Sequence, residues 1–144
     1  MRSFLFRLIG ILEIAGGLYG AAGALHRLLR MGSTYDTLHA ALALVAFGFV
    51  LVAGVLLVEG SERGVAFSRV AQLLQLPLIA TPVFSYGLHA GAFLNVYTTM
   101  HLARPWLEWN FGTQGFALAI AGPSTARLGA NLLAVLSWLV LRLR

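Results

Sequence analysis

The residue best placed to do chemistry is a single carboxylate inside a long apolar segment. Glu13 lies about nine residues into a segment of about 20 residues that begins near Phe4. An ionisable group near the middle of a membrane-spanning helix is costly and by default suggests a function, here the handling of protons or cations. The alternative is a structural carboxyl group that is protonated or hydrogen-bonded to another helix. The sequence leaves both interpretations open.

A stripe of polar side chains follows in a later apolar segment. Arg69, Gln72 and Gln75 recur at three-residue steps, and Pro77 follows two residues after Gln75. Such a stripe should face protein, because hydrogen bonds between helices contribute roughly 0.6 to 2 kcal/mol each inside a membrane. We therefore predict that Glu13 forms an intramembrane polar cluster with these three residues. The cluster would either join helices or line a polar cavity.

Small residues surround the carboxylate at helical spacing. Gly10, Gly17 and Gly20 recur near Glu13 at steps of three and four, which places all of them on one face of a helix. Small residues on such a face let a second helix approach closely. We predict that these glycines form a helix-packing surface.

Other kinds of site find little support in the sequence. The chain has no cysteine, and no two histidines have the i, i+4 spacing of a helical zinc site. It contains no nucleophile motif, no glycine-rich phosphate loop and no paired carboxylates, so we predict no cofactor, no metal and no enzymatic activity. The formal charge of +5 comes from scattered arginines, which excludes a nucleic-acid partner.

The composition indicates the kind of element that must position these residues. Hydrophobic residues make up 59% of the 144 residues and charged residues 10%, and the mean hydropathy is +0.83. Soluble domains are roughly half apolar and about a quarter charged. The sequence therefore predicts a single integral membrane domain whose surroundings are the lipid bilayer.

Four apolar segments are long enough to be read as membrane helices. The second is uncharged, and Ser33 and Asp36 before it have the spacing of a capping box. We predict a membrane all-α four-helix bundle with helices at about residues 4–25, 38–58, 65–83 and 126–143.

A change of periodicity interrupts the helices between residues 84 and 121. Apolar and polar or small residues alternate there, which favours β-strands in an extracytoplasmic hairpin or three-stranded insert between helices 3 and 4. The range Gly112–Gly115 is a plausible hairpin turn. A helix over residues 87–103 is the alternative. We expect the insert to mediate assembly through its exposed aromatic residues, which are Trp106, Trp109, Phe111 and Phe116.

Arginines near the segment ends indicate an orientation. Positive charge accumulates on the cytoplasmic side of membrane proteins. One side would carry six arginines and the other four, and this bias places both termini and the Glu59–Gly64 turn in the cytoplasm. The insert would then lie outside.

The C-terminal half resembles a group of small four-helix bacterial inner-membrane proteins of uncharacterised function. The resemblance is carried by the segments Gln75–Pro77, Pro82–Tyr86 and Leu107–Gly112, and it implies no activity, cofactor or catalytic residue. We expect a non-catalytic membrane module, either a homo-oligomer or an accessory subunit of a larger assembly. The alternative is a small oligomeric transporter, channel or ligand-binding protein that uses a polar path around Glu13.

Overall fold

The computed structural model describes residues 2–30, 32–101, 104–120 and 122–143. This part of the chain contains four helices and one curled antiparallel sheet of four strands. In chain order the elements are α1 (Arg2–Leu29), α2 (Thr34–Val58), α3 (Glu62–Gln75), β1 (Pro77–Ala80), β2 (Ser85–His101), β3 (Arg104–Ala119), β4 (Arg127–Asn131) and α4 (Leu132–Arg142).

The two N-terminal helices form an antiparallel pair. The predicted capping box is confirmed, because Ser33 Oγ accepts a hydrogen bond from the backbone N–H of Asp36 and starts α2 there. Among the described residues, only these two helices are long and apolar enough to cross a membrane, by length and composition alone. The predicted four-helix membrane bundle is therefore wrong, since α3 has 14 residues and α4 has 11.

Three strands of the sheet, β1, β4 and the long strand β2, form a closed circuit in which each pairs with the other two. The start of β2 pairs with β1, β1 pairs with β4, and β4 returns to pair with the second half of β2. This circuit requires β2 to bend, and the bend lies at Gly91, whose φ of 80° suits glycine. The strand β3 runs along the other edge of β2 over its whole length.

The predicted third helix, residues 65–83, is too long by several residues. It ends at Gln75 because Pro77 has no N–H to donate, and the residue before a proline is biased away from helix. The chain turns into β1 at Pro77, a position where a strand tolerates proline.

The predicted fourth helix, residues 126–143, begins six residues too early. Its first part is the strand β4, and Gly129 there lets the backbone approach Tyr97 of β2 closely. The helix starts only after Asn131, whose Oδ1 accepts hydrogen bonds from Leu133 N at 3.2 Å and Ala134 N at 3.4 Å. The sequence pattern alone does not separate this short strand from the apolar helix that follows it.

The strand prediction for the insert is confirmed, and the alternative helix over residues 87–103 is wrong. The predicted turn at Gly112–Gly115 is wrong as well, because these residues lie inside β3. Gly112 faces the Phe93 ring so closely that a Cβ atom would come within 2.6 Å of its Cζ. Gly112 thus makes room for an aromatic side chain across the strands. Nor is the sheet a separate insert, since Gly16 of α1 packs directly on Gly91.

Candidate polar site in the interior

Polar side chains are concentrated inside the described part of the molecule, and large apolar side chains cover its outside. Val45 is 72% exposed, Trp109 74% and Leu128 66%, and each belongs to a different element. The core also contains apolar side chains such as Val50 and Leu88, but nine buried polar residues in the described part of the chain, beneath so many exposed large apolar side chains, are not typical of a soluble protein. The buried polar residues are Glu13, Ser68, Gln72, Gln75, Ser85, His89, Asn95, Thr99 and Asn131.

The centre of the buried polar region is the Glu13 carboxyl group, which is 1% exposed. The Ser68 hydroxyl lies within hydrogen-bond distance of its Oε2, at 2.7 Å, and the Gln72 Nε2 donates to its Oε1 at 2.8 Å. Both partners lie on α3, one helical turn apart, so a single face of α3 binds both carboxyl oxygens. The carboxyl group therefore joins α1 to α3.

The hydrogen atoms in this cluster can be counted. The Ser68 hydroxyl has one proton but lies within hydrogen-bond distance of two acceptors, Glu13 Oε2 at 2.7 Å and the Ala53 carbonyl at 3.3 Å. A protonated Glu13 satisfies both, because it donates to Ser68 Oγ and leaves the Ser68 proton for Ala53. The geometry fits a neutral carboxylic acid that connects α1, α2 and α3.

Gln75 extends the polar region towards the sheet. Its Oε1 accepts a hydrogen bond from the backbone N–H of Ala90 at 2.8 Å, which fixes the orientation of the amide. Its Nε2 is buried and has no hydrogen-bond partner among the described residues. Gln75, Gln72 and Glu13 all border one cavity of about 60 Å³, which Asn131 and Ser137 also line.

Arg69 does not join this cluster. Its Nε and Nη2 donate to the Leu141 carbonyl at 3.0 and 2.8 Å, so the guanidinium holds the last turn of α4. The reason is the helical period. Ser68, Gln72 and Gln75 are spaced by four and three residues and share one face, whereas Arg69 points about 100° away from Ser68.

The concave side of β2 carries further buried polar groups. His89 Nε2 and Asn95 Nδ2 lie 3.0 Å apart, and the His89 ring stacks on Phe93 with the ring centroids 4.3 Å apart. The bend at Gly91 brings residues on both of its sides together. Several buried atoms of this strand lack a hydrogen-bond partner within the described ranges, namely Ser85 Oγ, His89 Nδ1, Asn95 Oδ1 and Thr99 Oγ1.

The aromatic residues expected to mediate assembly divide into two groups. Trp106, Trp109 and Phe111 are 69%, 74% and 63% exposed on β3. Phe116 is half-buried instead, because it packs against His39 at 4.9 Å and Phe47 at 6.3 Å between ring centroids. It belongs to the contact between the sheet and α2.

The predicted packing glycines of α1 all lie against α2. A Cβ atom at Gly10 would come within 2.7 Å of Val58 Cγ2, one at Gly17 within 2.6 Å of Leu51 N, and one at Gly20 would overlap the Phe47 ring. The two helices therefore approach closely at each of these three glycines.

Two residues of the polar site were missed in the sequence. Ser68 could have been found from its spacing of four to Gln72, which is the usual spacing of neighbours on a helix face. Asn131 could not, because its role depends on β4 pairing with β2, where it also accepts a hydrogen bond from Leu94 N at 3.2 Å.

No group of three or more potential ligands of a metal ion occurs among the residues that the structure describes. Comparisons with protein-family models, curated proteins and solved structures found no match to this chain. Its function must therefore be argued from its own geometry.

Proposed function

We propose that the protein is a non-catalytic membrane-embedded module that assembles with a second copy of itself. The observation that carries the proposal is the distribution of side chains, with polar groups buried beside an apolar core and many large apolar side chains exposed, which suits a hydrocarbon environment. Glu13 and Gln75 are buried while Val45 and Trp109 are exposed. In lipid, polar groups must be satisfied within the protein, and apolar surface carries no penalty.

The sheet would share the bilayer with the helices. Gly16 is near the middle of α1 and packs on Gly91 of β2. If α1 crosses the membrane, the residues around Gly91 lie near the bilayer centre. The arginine distribution would then place the N-terminus and the Glu59–Gly64 turn in the cytoplasm of a bacterial cell, with the protein in the inner membrane.

If the sheet lies at this depth, the backbone groups on the outer edge of β3 need hydrogen-bond partners. This need is the argument for assembly. The 16 residues of β3 pair with β2 on one side only, within the described part of the chain. Open strand edges do not occur in the hydrocarbon region, because their amides would have no partner. A second strand must therefore cover this edge.

A second copy of β3 fits this requirement. No charged residue lies between Trp109 and Ala119, so the edge lacks the charges that usually prevent pairing. If both copies have the same orientation in the membrane, their two-fold axis lies along the membrane normal. The two β3 strands can then pair antiparallel, each satisfying the other's backbone groups, only if β3 runs roughly parallel to the membrane plane. The exposed Trp106, Trp109 and Phe111 would then lie beside the joined strands.

The chain offers a clean cross-linking test because it has no cysteine. Single cysteines placed along β3 should form disulfide-linked dimers in bilayers, with a maximum at the one position that faces itself across the two-fold axis. A cysteine at Val45, which is equally exposed but lies on α2, is the matched control. A monomer by native mass spectrometry, together with uniform or absent cross-linking on β3, would exclude the proposal.

A second candidate function is favoured by the unpartnered Gln75 Nε2 at the cavity beside Glu13. In this case the protein would bind or conduct a small ligand along its polar interior. A Glu13→Gln variant that folds normally but loses a measurable flux across vesicles would support this candidate. An unchanged flux, or none in the original protein, would rule it out.

A further inference from the structure

The cavity between α1, α3, β2 and α4 has a lining that selects its occupant. Its polar groups come from Glu13, Gln72, Gln75, Asn131 and Ser137, and its volume is about 60 Å³. Glu13 and Gln75 are 1% and 2% exposed, so the polar groups on these two sides of the cavity come from buried side chains. We propose that this cavity is a binding site for a small cluster of water molecules that link Glu13 to Gln75.

The donor and acceptor pattern identifies water. The Gln75 amide cannot be turned around, because its Oε1 already accepts from Ala90 N. The unpartnered Nε2 is therefore a donor, and it needs a guest that accepts a hydrogen bond. The carboxyl oxygens of Glu13 keep spare lone pairs beside their bonds to Ser68 and Gln72, so the same guest must also donate.

A metal cation does not meet these requirements. It would accept no hydrogen bond from Gln75 Nε2, and it would face the positive end of that amide. A guest that both donates and accepts satisfies both sides of the cavity. Water is the smallest such molecule.

The volume agrees with this choice. A cavity holds a water molecule once about 10 to 15 Å³ is accessible to the centre of a water-sized probe, and one water occupies about 30 Å³ in the liquid. A volume of about 60 Å³ therefore accommodates a few waters. Buried waters usually satisfy polar groups that the chain itself leaves unpaired.

The inference does not depend on self-association. A protein that failed to pair through β3 would keep the same cavity, since every residue that lines it belongs to one chain. The water cluster would give Glu13 a hydrogen-bonded connection to β2 and α4 that its direct bonds to α3 do not provide.

Selective labelling makes the site observable. The chain contains only three glutamines, Gln72, Gln75 and Gln114, so ¹⁵N-glutamine labelling yields three pairs of side-chain amide protons. In magnetisation-transfer spectra of the full chain in nanodiscs, we expect the Gln75 amide protons to show a cross-peak to water. Gln72 also borders the cavity and one of its two amide protons donates to Glu13, so its signal reports whether the cluster around Glu13 stays intact. The signals are assigned with Gln75→Leu and Gln114→Leu variants.

Filling the cavity should remove the water. Ala134 lines it and is 2% exposed, so Ala134→Val should abolish the Gln75 cross-peak to water while the Gln72 signal stays in place. If that variant does not fold, Ala92→Val on the opposite wall replaces it. Contacts of the Gln75 amide with aliphatic protons alone in the original protein would overturn the proposal. So would a water cross-peak that survives both filling variants.

Discussion

The α1–α2 pair and the part formed by α3, the sheet and α4 are held together in different ways. In the helix pair, Gly17 contacts Leu51 and Gly20 contacts Phe47, and the contact is made through small residues and apolar side chains. In the second part, hydrogen bonds do the joining, as at Gln75 with Ala90 and Asn131 with Leu94. The closely packed helix pair and the hydrogen-bonded second part are joined at Glu13 of α1, which is hydrogen-bonded to α3.

The comparison shows where this chain places its buried polar groups. Glu13 is on the helix pair, but all its side-chain partners are on α3, so the polar interior begins where the two parts touch. Without these partners, the Glu13 carboxyl group would be a buried polar group with no hydrogen bonds, which is costly in hydrocarbon. We expect disruption of the close packing to cost most, loss of the central carboxyl less, and loss of a peripheral hydrogen bond least.

The largest effect is expected at the contact between α1 and the sheet. A Cβ atom at Gly16 would overlap the backbone of Gly91, so Gly16→Ala should destabilise the fold by about 3 kcal/mol or more. The measurement is the free energy of unfolding in mixed micelles, followed by circular dichroism. Gly48→Ala is the control, because nothing lies within 4 Å of its Cβ position. Equal losses in both variants would contradict the packing of the sheet on α1.

A smaller effect is expected at Glu13. Glu13→Leu leaves the Gln72 Nε2 without its acceptor and should cost about 2 kcal/mol. Glu13→Gln should cost less than about 1 kcal/mol, since a glutamine oxygen accepts from Gln72 and its amide donates to Ser68, as a neutral carboxylic acid does. The free energies of unfolding of the two variants in mixed micelles are compared with that of the original protein. If the glutamine variant is as unstable as the leucine variant, Glu13 is needed in its charged form.

The smallest effect is expected at Arg69, whose contact lies at the end of α4. Arg69→Met keeps the aliphatic stem and removes two hydrogen bonds to the Leu141 carbonyl, so it should cost about 1 kcal/mol. Hydrogen exchange should increase in the last turn of α4 and stay unchanged around Glu13. Faster exchange around Glu13 would mean that Arg69 belongs to the central cluster after all.

Local sequence signals predicted the helix pair. The short strands and the cavity depend on long-range pairing and could not be predicted from local signals. The Ser33 capping box and the apolar run of α2 are short-range features that a sequence displays directly. The strands β1 and β4 have four and five residues, and they form only because they pair with each other and with β2. Within the polar site, Gln72 was placed with Glu13 from sequence, whereas the cavity was not, since Asn131 and Ala134 reach it from the far end of the chain.

The depth of the sheet in the bilayer tests the central claim most directly. Single nitroxide labels at Thr113→Cys on β3 and Val45→Cys near the middle of α2 can be compared for collision with oxygen, which enters lipid, and with a water-soluble nickel complex. An Arg63→Cys label in the first turn of α3 reports the aqueous side. Thr113 lies beside Gly16 and Gly91, so we predict that its label, like that at Val45, meets oxygen and excludes nickel. A Thr113 label that meets nickel as freely as the one at Arg63 would place the sheet outside the membrane and contradict the account.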